Sequence, residues 1–178
     1  MLDITQLLQD TIYFDNQIIE QRDLLLGPDS HLKEILVHCD RSLASLYQPA
    51  ISYDLIKAPA VSLSNQQILE RYVAVLHWFL LFSAQKQWTH LVVMDETSYH
   101  KLTKAKPVTK LADQDQQYLT IKYFLFTSYY THRQADFRHA WRLLIKYGLV
   151  DLKLSTDAIM QEHERLIKEN IRLCVKSC

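Results

Sequence analysis

The sequence predicts an all-α fold, a helical bundle of about five to seven helices, from two observations. Only two glycines and four prolines occur in 178 residues, and tight β-turns depend on these residue types. Apolar residues also recur mainly at helical spacing rather than in alternation. A chain of this length, with 48% hydrophobic residues, can bury the core of one domain, which we expect to cover 1–178.

Two helices are predicted in the first 46 residues. Gly27 and Pro28 end the first helix and help to start the second, and Asp29 or Ser30 is expected to cap the second helix. The apolar positions at helical spacing are Leu7, Leu8, Ile12, Phe14, Ile18 and Ile19 in the first helix, and Leu32, Ile35, Leu36, Leu43 and Leu46 in the second. Residues 48–63, which contain two prolines, indicate a loop.

A third, mostly apolar helix follows this loop. Ser64 and Gln67 have the spacing of a capping box, and the pattern continues to about Ala84. This helix contains the segment ERYVAVLHWFLLFS, residues 70–83.

The second half of the chain predicts further helices. Residues 88–110 fit either a short strand or a helix end, followed by the basic, exposed connection KLTKAKPVTK. Residues 136–147 and 156–174 are amphipathic, with Gly148 expected as a C-terminal cap between them. Residues 112–133 carry six aromatic side chains, which favour a helix core or a dimer surface over a platform for stacking bases.

Charge and hydropathy exclude several classes of partner. Twenty basic residues balance twenty acidic ones, so we expect no nucleic-acid partner. The longest apolar run, residues 73–82, is interrupted by His77 and is too short to cross a bilayer. The N-terminus MLDITQLLQD lacks the pattern of a signal peptide. We therefore expect a cytoplasmic protein without a membrane partner.

Four segments resemble one enzyme family. LERYVAVLHWFLLF is similar to the third-helix motif of the all-α dUTP diphosphatases (dUTPases), which are relatives of the MazG-type nucleotide pyrophosphohydrolases. FDNQIIEQRDL is similar to their first helix, KEILVHCDRSLAS occupies the place of their second, and LSTDAIMQEHERLIKENIRL is similar to their closing helix. The resemblance touches most of the chain and implies a homodimer.

The resemblance also implies where a metal site would lie. In that family two carboxylate pairs on neighbouring helices hold Mg²⁺, because residues three apart share one helix face and Mg²⁺ prefers oxygen ligands. The first pair aligns with His38 and Arg41, and the second with Arg71 and Ala74. None of the four is an acid, so this chain departs from the pattern at every ligand position.

The preferred hypothesis is therefore a dUTPase-like protein that has lost Mg²⁺-dependent nucleotide hydrolysis and acts in binding, regulation or as a scaffold. We predict no catalytic residue, no metal and no cofactor. His38, Arg41 and Arg71 are candidates for binding a phosphate or a nucleotide, and Asp15 and His77 are candidates for a substrate pocket.

Alternative hypotheses remain open at this point. The chain is an active dUTP or NTP pyrophosphohydrolase if Glu34, Asp40 and Glu70 supply the Mg²⁺ ligands instead. It is a protein without a ligand if the basic side chains turn to solvent or pair with these three acids. A helical interaction module unrelated to the family is a further candidate.

Overall fold

The computed structural model describes residues 1–22, 27–47 and 63–176, except the side chains of 22 and 173–176. Over these ranges the chain forms seven α-helices and no strand, which confirms the predicted all-α bundle. The helices are α1 (Ile4–Arg22), α2 (Pro28–Leu46), α3 (Asn65–Gln85), α4 (Glu96–Thr103), α5 (Leu111–Thr131), α6 (Gln134–Lys146) and α7 (Thr156–Lys176). None of these helices combines the length and the hydropathy needed to cross a membrane.

Helix α3 is the central helix of the described bundle. It packs against α1, α2 and α7, while α5 packs chiefly against α6. Its side chains are buried around most of its circumference, including Tyr72, Leu76 and Phe79. A helix that is apolar on all sides must be covered on all sides, so the segment that looked most buried in the sequence organises the fold.

The predicted cap at the start of α3 is confirmed, whereas the predicted cap at the start of α2 is wrong. Gln67 N donates to Ser64 Oγ at 3.2 Å and Ser64 N donates to Gln67 Oε1 at 2.9 Å, which confirms the capping box. The expectation that Asp29 or Ser30 caps α2 is wrong, because Gly27 is the N-cap residue and no side chain caps this end. Pro28 already has the φ of a helix, and its missing N–H is one that the first turn leaves without a helical partner anyway, so α2 starts before Asp29.

Residues 88–110 form a turn and a short helix, and no strand. A 3₁₀ turn covers Thr89–Leu91, and the Asp95 side chain caps α4 by accepting a hydrogen bond from Ser98 N at 2.8 Å. Trp141 Nε1 on α6 donates to Val92 O at 2.9 Å, which ties this connection to the core. The four lysines of KLTKAKPVTK are exposed, as expected. Residues 48–62 of the predicted loop lie outside the described residues.

Gly148 is not the C-terminal cap that the sequence predicted. It lies buried in a π-helical turn, Tyr147–Asp151, and does not have a positive φ. A Cβ atom at Gly148 would lie 2.1 Å from Cζ of the Tyr72 ring. The residue is therefore glycine because an aromatic ring of α3 packs directly on its backbone.

Candidate functional site

The four positions that align with the family's metal ligands lie in one cleft between α2 and α3. The cleft, called here the α2–α3 cleft, has a volume of about 330 Å³. Helix spacing puts residues three or four apart on one face, and α2 packs along α3, so the two faces meet. The cleft is lined by His38, Arg41, Ser42, Ser45, Arg71 and Ala74.

Two arginines occupy this cleft in different ways. Arg71 is half-buried, and its Nη1 donates to the backbone oxygen of Ser45 at 2.7 Å. This bond crosses from α3 to α2 and holds the guanidinium at the cleft. Arg41 is exposed. A guanidinium carries five N–H donors and no acceptor, so both side chains can donate to an anion and neither can bind a metal ion.

His38 lies against an aromatic side chain of α3. Its ring stacks on Trp78 with the ring centroids 4.2 Å apart and the ring planes 9° apart. Trp78 follows Ala74 by about one turn on the same side of α3. The indole therefore fixes the orientation of the imidazole at one end of the cleft.

Two of the three acids that the hydrolase alternative requires pair with basic residues of other helices. Asp40 Oδ1 pairs with Lys122 Nζ of α5 at 2.7 Å, and Glu70 Oε1 pairs with Arg165 Nη2 of α7 at 3.1 Å. Glu34 is exposed, and none of the described residues that line the cleft is acidic. In the part of the chain that the structure describes, no group of three or more His, Cys, Asp or Glu side chains could hold a metal ion. The described residues therefore do not bring Glu34, Asp40 and Glu70 together.

Asp15 lies outside the α2–α3 cleft. Its buried Oδ2 is 3.1 Å from His31 Nε2 and 3.5 Å from Gln85 Nε2. These partners come from the start of α2 and the end of α3, so Asp15 joins three helices. The structure explains this carboxylate as a link within the bundle.

His77 also lies away from the cleft, in a buried polar cluster. Thr11 Oγ1 is 3.3 Å from His77 Nδ1 and 3.2 Å from His163 Nε2. Burial, with the neighbouring His163 as a smaller cause, lowers the pKa of His77 to about 3. Burial also lowers the pKa of His163 to about 4, against a smaller opposing effect of Asp10. Both rings are neutral near pH 7 and link α1, α3 and α7.

Sequence reasoning missed several residues of these two sites. Ser42 and Ser45 share the helix face of His38 and Arg41, so spacing on α2 could have found them. His163 lies four residues from both Ile159 and Ile167 on the apolar face of α7, which could have marked it as buried. Thr11 follows Leu7 and Leu8 by four and three residues on the buried face of α1, so spacing could have marked it as buried, but its histidine partners come from two distant helices.

No protein-family model matches the chain, and neither a curated protein nor a solved structure matches it significantly. The resemblance to the all-α dUTPases therefore stays a prediction carried by the sequence segments themselves.

Proposed function

We propose that the α2–α3 cleft binds a phosphate-like anion directly, without a divalent metal, and that the chain does not hydrolyse nucleotides. The observation that carries this proposal is the meeting of His38, Arg41 and Arg71 in one cleft, where no described residue of the lining is acidic. Under the aligned dUTPase pattern, these three positions and Ala74 would hold four carboxylates.

The chemistry of the lining favours an anion. Guanidinium groups donate paired hydrogen bonds to phosphate oxygens, and the hydroxyls of Ser42 and Ser45 are further donors. Among the described residues of the cleft, Mg²⁺ would meet two guanidinium charges and no carboxylate, whereas it requires oxygen ligands. A dUTPase-like cleft with this lining binds a nucleotide phosphate as a ligand rather than as a substrate. The protein then acts by binding, in regulation or as a scaffold.

Thermal unfolding in EDTA tests the binding proposal. Inorganic phosphate, dUMP and dUTP are added separately, and at least one should raise the melting temperature in a saturable way. A ligand at about 100 times its Kd stabilises the folded state by about 2.7 kcal/mol. If none of the three raises the melting temperature, direct anion binding is wrong and the scaffold hypothesis remains.

Matched arginine variants localise the ligand. Arg41→Glu should remove the shift, and it is the cleaner variant because the Arg41 side chain is exposed. Arg71→Glu should also remove the shift, but it breaks the bond to Ser45 as well. Arg142→Glu makes the same charge change at an exposed position of α6 and should keep the full shift. A shift that survives both Arg41→Glu and Arg71→Glu would place the anion elsewhere.

Pyrophosphate release from dUTP with Mg²⁺ tests the loss of hydrolysis. We expect a flat time course at high protein concentration, because the described cleft offers no carboxylate to a metal ion. Release that stops in a Glu70→Gln variant would instead support the active hydrolase with relocated ligands.

A further inference from the structure

Helix α5 carries a second apolar face on its outer side. This outer stripe consists of Leu119, Tyr123, Phe126 and Tyr130. Leu119 is 55% exposed, Tyr123 64% and Tyr130 71%, while Phe126 is half-buried. The core face of α5 is formed by Gln117, Ile121, Leu125 and Ser128. At about 100° per residue, the stripe lies roughly half a turn away from that face. Phe126 still packs against the edge of the core, whereas Leu119, Tyr123 and Tyr130 are mostly exposed.

The outer stripe also lacks charge. Lys122 is the single charged residue between 116 and 131, and its ammonium pairs with Asp40 Oδ1 of α2 at 2.7 Å. Solvated helix faces normally carry charged side chains, whereas contiguous aromatic surface depleted in charge is typical of protein interfaces. The composition of the stripe therefore indicates a surface that another protein covers.

Charges at the two ends of the stripe point to the occupant. Asp115 lies before Leu119, and Arg133 lies after Tyr130. The Arg133 side chain pairs with Asp136 Oδ1 of its own chain at 3.0 Å through one Nη atom and is 65% exposed, so other donors of its guanidinium face solvent. A two-fold axis between Tyr123 and Phe126 would bring Leu119 of one copy to Tyr130 of the other. The same axis brings the acidic end of each α5 helix to the basic end of α5 in the other copy.

We propose that the outer stripe of α5 packs antiparallel against the same stripe of a second copy of this chain. The pairing puts the same patch of both copies face to face and is self-complementary in charge, as a two-fold interface requires. It also opposes the two helix dipoles. This inference is independent of the anion cleft, which lies between α2 and α3.

The size of the stripe sets the strength of the contact. With about 150–250 Å² for each aromatic side chain, the exposed fractions give on the order of 400 Å² per copy. A standard stable interface buries about 800 Å² per partner. A contact of this size falls among the weak and transient interfaces, so the dimer should be in exchange with the monomer.

Sedimentation velocity over a concentration series tests this assignment. The sedimentation coefficient should rise from monomer to dimer as the concentration increases. Tyr123→Glu should keep the chain monomeric, since it puts a charge at the centre of the contact between the two outer stripes. Circular dichroism checks that the variant is folded. Tyr13→Glu changes an equally exposed tyrosine of α1, 58% exposed, and should dimerise normally. A monomer at every concentration, or a dimer that tolerates Tyr123→Glu, overturns the proposal.

Disulfide trapping tests the antiparallel orientation. In a background with Cys174→Ser and Cys178→Ser, a Leu119→Cys protein is mixed with a Tyr130→Cys protein and mildly oxidised. Antiparallel packing of the two stripes gives the mixed cross-linked dimer. If each variant cross-links only to itself and the mixed product is missing, the two stripes pack in parallel, and the proposed antiparallel orientation is wrong.

Discussion

Helices α5 and α7 have the same length, 21 residues each, but opposite outer faces. The outer face of α7 carries charges of both signs joined in ion pairs, namely Arg165 with Glu169, and Lys168 with Glu164. The outer face of α5 carries leucine and aromatic side chains and no ion pair among its described residues. Both inner faces are buried in the bundle.

The difference shows that the core fixes only one face of a helix. Burial selects the apolar residues that point inward, and it places no demand on the opposite side. On α7 water covers that side, and i,i+3 and i,i+4 charge pairs suit it. On α5 the aromatic surface indicates a protein neighbour.

Truncation of one leucine on each face of α5 measures the contrast most directly. Leu125→Ala removes a fully buried side chain and should lower the free energy of unfolding by about 2–5 kcal/mol, since it leaves a cavity. Leu119→Ala changes the same residue type on the outer stripe and should cost less than about 0.5 kcal/mol in the monomer. Urea unfolding at low protein concentration gives both values. Equal losses would show that the stripe belongs to the core.

On the inner edge of α7, the guanidinium of Arg165 is the main partner of a buried carboxylate. Glu162 is buried, and its carboxylate receives hydrogen bonds from Arg165 and from Gln66 Nε2, the latter at 3.1 Å. Arg165→Ala should therefore lower the free energy of unfolding by about 1–3 kcal/mol, because a buried charge loses its main partner. Arg142→Ala on α6, an exposed arginine, serves as the control and should have little effect. A double variant with Glu162→Gln should recover part of the loss.

The buried histidines make the α7 side of the bundle sensitive to acid. Their folded pKa values, about 3 for His77 and about 4 for His163, lie below the ordinary value of about 6.5. Between these values the unfolded chain binds more protons, so stability is complete above pH ~6.5 and falls as the pH falls. The slope approaches about 1.4 kcal/mol per pH unit for each histidine.

Urea midpoints measured from about pH 7 to about pH 5 check this slope. His163→Gln should reduce the pH dependence by about half, because one of two titrating rings is removed. His90→Gln changes an exposed histidine and should leave the slope unchanged. If the pH dependence of the unfolding free energy is the same with and without His163, the buried histidine cluster is not its source.

The smallest effect is expected on the solvated face of α7. Lys168→Ala breaks the exposed pair with Glu164, and it should change the free energy of unfolding by at most about 0.5 kcal/mol. The effect should shrink further in high salt. A loss above about 1 kcal/mol would mean that this face has a structural role, and the contrast with α5 would weaken.

Local rules predicted most of the helices but not all of their ends. Scarce glycine and proline, apolar periodicity and the Ser64–Gln67 pair were sufficient for the helical class and for the start of α3. The cap at Asp29 or Ser30 failed because Pro28 starts α2 earlier. The predicted cap at Gly148 failed because the ring of Tyr72, far away in sequence, requires a glycine there.

The candidate site was predictable in part. Helix spacing indicated that His38 and Arg41 share one face and that Arg71 and Ala74 share another, but only packing of α2 on α3 could put them in one cleft. Asp15 and His77 were grouped with them from the resemblance. In the structure they lie in separate hydrogen-bonded sets with His31 and Thr11.

The sequence by itself determined the helical class, the burial of α3 and the absence of carboxylates at the aligned ligand positions, because composition and periodicity are properties of neighbouring residues. The tertiary structure alone decided which charges meet: Asp40 goes to Lys122, Glu70 goes to Arg165, and the α2–α3 cleft keeps its arginines. Electrostatic interactions and pKa shifts depend on distance and burial in space, and these are set only when distant helices pack.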